Sequence, residues 1–99
     1  MIVKYSPKVL DKLKKSNVRI RKSFKERILI FSKNPYDMEL NNHLLKEPYL
    51  GCRSIDITAD WRAIYEEMQI GEEIEAYFLI LGTHGELFRN SEINNNFDS

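Results

Sequence analysis

A chain of 99 residues holds one domain with a single modest core and excludes two. Its 42% apolar and 11% aromatic content excludes a disordered chain, and no apolar run approaches the ~20 residues of a membrane helix. Net charge is zero, but the segment from Met1 to Lys33 carries eleven Lys/Arg against two acids, and the remainder carries four against thirteen.

Ile2–Tyr5, "IVKY", reads as a short strand. It lacks the apolar core of a signal peptide. Ser6 and Pro7 supply an N-cap and a first-turn proline for a helix whose apolar face is Val9, Leu10 and Leu13. "KKSNV" interrupts it, and Asn17 caps a second helix in which Ile20, Phe24, Ile28 and Phe31 form one stripe. Asn34-Pro35 ends that helix. The outcome is a basic helical hairpin with an apolar seam. Its charge suits a polyanion or an acidic partner, and equally suits internal balance against the acidic half.

Tyr36–Gly51 is read as a long connection with a loose turn at "NNHLLK". Three strands follow: Cys52–Thr58, alternating Ile55 and Ile57 against Ser54, Asp56 and Thr58; Trp61–Met68; and Ile74–Leu81, apolar on both faces. "TAD" and "QIGEE" are short enough for hairpin turns, so the strands form an antiparallel meander. The expected fold is α+β: a short N-terminal strand and a basic helical hairpin on a mainly antiparallel sheet, with the opposite sheet face open. The domain spans 1–88, and 89–99 is a polar, Asn-rich tail expected to fray or to contact a partner.

Nothing has the ligand spacing of a metal site, a dinucleotide fingerprint or a P-loop, so no cofactor is expected. A single cysteine, Cys52, cannot close an internal disulfide and suggests a reducing, cytoplasmic compartment. In a meander, the turn before the second strand and the end of the third share an edge, which brings Asp60, Trp61 and Arg62 near His84 and Phe88. His43 lies in the preceding connection. Imidazole exchanges protons near neutral pH, a carboxylate orients an imidazole or acts as a base, arginine offers a fork of donors to phosphate, and an aromatic ring stacks on a base. These types suit RNA cleavage without a metal. Each also has a plainer reading: a surface histidine, an Asx turn at Asp60, rim packing by Trp61 and Phe88, and ion pairing by Arg62 and Arg53. In "LGTHGELF", Gly82 is expected to allow a sharp exit from the sheet and Gly85 to relieve crowding beside His84. Thr83 and Glu86 are expected to cap one turn that returns Phe88 to the same edge.

Taken together, the basic hairpin, "CRSIDITADWRAIYEE" and "FLILGTHGELF" resemble the RelE/ParE toxin superfamily, most closely its YafQ-like branch of ribosome-dependent mRNA endoribonucleases. The resemblance covers Ile2 to about Phe88 and is most specific at Asp60-Trp61, Ile64-Tyr65 and Gly82–Phe88. It implies a cognate antitoxin, a toxin–antitoxin hetero-oligomer, and ribosome and mRNA as targets, with no membrane role. Residue by residue, it implies that His84 is the main proton-transfer group, with Asp60 and His43 beside it and Trp61 in the active-site pair. Phe88 would position RNA and Arg62 would bind phosphate, with Arg53 on the neighbouring strand. Two departures stand out: Asp56 replaces a histidine of that branch, where a carboxylate can serve as a base but cannot stabilise phosphate charge, and the chain is neutral where the family is basic. The alternatives are a ParE-type, non-enzymatic gyrase poison and a catalytically weak member that only binds its antitoxin.

Overall fold

The computed structural model describes residues 1–88; the expected tail, 89–99, lies outside them. In chain order the elements are β1 (Ile2–Tyr5), α1 (Pro7–Lys15), α2 (Val18–Lys33), a 3-10 turn (Met38–Leu40), β2 (His43–Leu44), β3 (Arg53–Asp56), β4 (Trp61–Ile70) and β5 (Glu73–Thr83). Residues 84–88 form a final helical turn.

The helix boundaries follow local chemistry. Ser6 Oγ accepts from the Val9 amide at 3.2 Å and donates to the Leu79 carbonyl at 2.7 Å, so the α1 cap also ties the helix to β5. Asn17 Oδ1 accepts from the Ile20 amide at 3.0 Å and starts α2. Val9 and Leu13 face the core, whereas Leu10 is 54% exposed and falls outside the expected seam. In α2, Ile20, Phe24 and Phe31 are buried and Ile28 packs partly against the core.

The sheet has the order β1-β5-β4-β3-β2. β1 runs parallel to β5, and every other pairing is antiparallel. The β4–β5 hairpin turns on Gly71-Glu72, with Gly71 at φ 62°, the first-position conformation that favours glycine. Phe31, Tyr65 and Phe78 form the aromatic centre on the helix face, with Phe31 edge-on to both other rings at 4.9 and 5.2 Å.

Two expectations about the sheet change. The "NNHLLK" segment is not a loose turn: His43 and Leu44 pair with Ser54 and Arg53 and close the sheet edge. A two-residue strand has no periodicity of its own, and only its partner β3 defines it. The second sheet face is not fully open either. Leu45, Ile64 and Leu87 form a small second core with Tyr49, Cys52, Ile80 and Phe88 around it.

Candidate active site

The alternation of β3 and β4 sorts the candidate residues between the two faces. Ser54, Asp56, Arg62 and Ile64 stand on the face away from the helices, while Arg53, Ile55, Trp61, Ala63 and Tyr65 stand on the helix side. A cleft of about 510 Å³ opens on the first face, and His43, Lys46, Ser54, Arg62, His84 and Phe88 are among its lining residues.

His84 is delivered to this cleft by the end of β5. Trp61 pairs with Thr83, and the next amide, that of His84, donates to the Asp60 carbonyl at 2.7 Å. Asp60 and His84 therefore share a rim, joined through their backbones. Asp60 itself is not among the cleft's lining residues and instead lines a different hollow, with Asn17, Arg19 and Ile20 at the start of α2.

The expected cap of the final turn is present in both directions. Glu86 Oε1 accepts from the Thr83 amide at 2.9 Å, and Thr83 Oγ1 accepts from the Glu86 amide at 3.2 Å. One turn later the Phe88 ring lies 4.9 Å from the His84 ring, and 5.7 Å from Tyr49 edge-on. Tyr49 also donates its hydroxyl to the Leu87 carbonyl at 2.8 Å. The glycines act differently from expectation. Gly82 is still in strand conformation, and a Cβ there would meet Leu87 Cδ2 at 3.2 Å, so its role is close approach of the turn to the sheet. Gly85 has nothing within 4 Å of such a Cβ and relieves no crowding.

His43 lines the same cleft. Its Nδ1 lies 2.8 Å from the Asn41 carbonyl, which only accepts, so Nδ1 carries the proton and neutral His43 presents its lone pair on Nε2. Arg62 also lines the cleft, with all three guanidinium nitrogens engaged. Nε lies 3.0 Å from Asp56 Oδ1, Nη1 donates to the Thr58 and Trp61 carbonyls at 2.9 and 3.0 Å, and Nη2 donates to Ala59 at 3.2 Å. The Arg62–Asp56 contact is an ion pair by distance without the alignment of a hydrogen bond. Asp56 also receives the Asn41 amide at 3.4 Å. Asp56 is thus a paired carboxylate, and Arg62 braces the β3–β4 turn.

Arg53 and Trp61 are not in the cleft. Arg53 Nε donates to Asn42 Oδ1 at 2.7 Å, with its guanidinium 5.2 Å from the Tyr36 ring centre. Trp61 packs against the main core with Lys12 Nζ 5.5 Å from its ring centre. Cys52 is half-buried beside the second core, and burial, then the Glu66 charge, push its thiol pKa up, the reverse of an activated nucleophile.

Sequence reasoning passed over Lys46 and Ser54. Lys46 adds a cation to the cleft lining. The Ser54 hydroxyl is fully buried with no hydrogen-bond partner among the described residues. The alternation that places Ser54 beside Asp56 is the available signal; Lys46 has none, because the two-residue β2 before it carries no period.

No family model and no curated protein matches the sequence. Solved structures do. A YoeB/ParE toxin from Agrobacterium tumefaciens superposes with a TM-score of 0.69 at 20% identity, covering 85% of this chain and 99% of that one. YafQ from E. coli strain BL21(DE3) gives 0.68 at 22% identity, covering 87% and 96%. A chain of a heterotetrameric YoeB-YefM toxin-antitoxin complex from Staphylococcus aureus gives 0.64 at 16% identity, covering 85% and 97%. The chain has the RelE/ParE toxin fold. In this fold the cleft with both histidines lies where the final helical turn folds back over the sheet, on the face away from the helical hairpin.

Proposed function

We propose that this chain is the toxin of a type II toxin–antitoxin pair and cleaves mRNA on the ribosome without a metal. The observation that carries the reading is one cleft lined by two imidazoles, His43 and His84, with the Phe88 ring against His84 and the cations Lys46 and Arg62. In the reaction the 2′-hydroxyl loses its proton and attacks the adjacent phosphorus. The bond to the 5′-oxygen breaks, and that oxygen takes up a proton, leaving a cyclic phosphate and a free 5′-hydroxyl.

His43, with its lone pair on Nε2, is suited to take the first proton, and His84 to supply the second. Lys46 supplies positive charge for the phosphate, whose charge grows in the transition state, while Arg62 is held by Asp56 and the turn carbonyls. Phe88 gives a splayed base a surface to stack on. Asp60 holds the His84 amide, and Trp61 supports the turn from the helix side.

The solved YafQ and YoeB structures include complexes with DinJ and YefM. By the same reading this chain has a cognate antitoxin, and an acidic segment of it suits the basic hairpin.

The test adds purified chain to a translation extract and maps mRNA ends. New ends that require translating ribosomes and vanish with His84→Ala are expected. Cleavage that persists in His84→Ala removes His84 from the chemistry, and inhibited supercoiling by gyrase with intact mRNA replaces the reading with the ParE-type one.

A further inference from the structure

We propose that Lys12, reaching from α1 to Glu86 and to Trp61, is a positioning residue that sets where His84 stands in the cleft. This rests on the nuclease reading for its consequence, not for its geometry.

A helical turn of residues 84–88 is too short to hold itself, because one turn fixes several dihedrals for little hydrogen bonding. Its orientation must come from outside. On the cleft side, Tyr49 holds the Leu87 carbonyl. On the β4 side, the Asp60 carbonyl holds the His84 amide. The third support comes from the helical hairpin: Lys12 Nζ lies 2.8 Å from Glu86 Oε2, and the other oxygen of the same carboxylate caps Thr83. Glu86 therefore joins the start of the turn to α1 with one group.

Lys12 touches the second flank as well. Its ammonium lies over the Trp61 ring, and Trp61 directly follows Asp60, the residue that holds His84. A single cation thus contacts both segments that converge on the imidazole. At 35% and 49% side-chain exposure the Lys12–Glu86 pair adds little to global stability. Its effect is on placement, and displacement of a proton-transfer group by a fraction of an ångström is felt in rate.

The experiment compares Lys12→Met, Glu86→Gln, the double variant and Lys12→Arg in the purified full chain. Two readouts are taken: amide exchange at His84 against Ala63 in the sheet centre, and the single-turnover cleavage rate on ribosome-bound mRNA. Expected are about tenfold faster exchange at His84 and about tenfold slower cleavage in each of Lys12→Met and Glu86→Gln. The double variant should be no worse than either single one, Lys12→Arg should recover both readouts, and Ala63 should be unchanged. Unchanged His84 exchange in both single variants, multiplicative effects in the double variant, or equal acceleration at Ala63 overturns the proposal. If the wild-type chain cleaves no mRNA, the nuclease reading falls and the exchange data alone decide on Lys12.

Discussion

The amide of His84 donates to the carbonyl of Asp60 at 2.7 Å, so the end of β5 and the turn before β4 are one structural unit. That bond uses backbone atoms, and it is indifferent to the imidazole. His84 is exposed and its ring lies against that of half-buried Phe88, so removing it leaves the buried core intact. His84→Ala is therefore expected to lower the cleavage rate by about 10²–10⁴-fold with an unchanged melting temperature, measured by mRNA end mapping and calorimetry. A fall in both together would make His84 a structural residue.

Arg62 gives the opposite expectation. Its guanidinium spans the Asp56 carboxylate and three carbonyls of the β3–β4 turn. Arg62→Ala leaves a half-buried carboxylate and freed carbonyls, and should cost about 1–3 kcal/mol in urea unfolding. Arg62→Lys should recover little, because an ammonium cannot reproduce the fork. Full stability in either variant would show that the turn holds without its brace.

Ser54 separates stability from chemistry in another way. Its buried hydroxyl makes no hydrogen bond among the described residues, so Ser54→Ala removes an unsatisfied group at nearly constant shape. Stability should stay level or rise by about 1 kcal/mol. Loss of stability would reveal a hydrogen bond made by that oxygen.

The elements legible in the sequence were those with local signals. Ser6, Asn17 and the Thr83/Glu86 box announce helix starts by capping chemistry, and the Ile20–Phe31 stripe announces a buried face. The meander was legible from its alternation, and with it the shared rim of Asp60 and His84. β2 was not, since two residues carry no period and its pairing with β3 is tertiary. The face taken by each site residue was also hidden. Arg53 and Trp61 are as polar or aromatic as cleft residues, yet strand register turns them toward the helices. The roles of Gly82 and Lys12 depend on Leu87 and Glu86 approaching from elsewhere, which spacing alone does not encode.

Glu86 carries the pH dependence of the turn. The Lys12 hydrogen bond first, and the Thr83 amide second, lower its pKa from 4.5 to about 2. A depressed carboxylate stabilises above its unfolded value and loses that contribution as pH falls through the folded one. The Glu86 contribution to holding the turn should thus be full above pH 4.5 and be lost toward pH 2. In Lys12→Met the Glu86 carboxyl should titrate closer to 4.5, followed by carbon-detected NMR. An unmoved titration would assign the shift to Thr83 instead.

Two glycines three residues apart should respond in opposite directions. A methyl at Gly82 would lie 3.2 Å from Leu87 Cδ2, and Leu87 is buried in the second core, so it has little room to yield. Gly82→Ala is expected to cost about 1–3 kcal/mol and to lift the final turn off the sheet, carrying His84 and Phe88 with it. Gly85 is helical, its added methyl meets nothing within 4 Å, and alanine restricts the unfolded chain more than glycine does. Gly85→Ala should therefore stabilise by about 0.4–1 kcal/mol and leave cleavage intact. Urea unfolding of the two variants checks the pair. Equal effects would mean that the turn is not seated on Gly82, and that the cleft is not shaped by this contact.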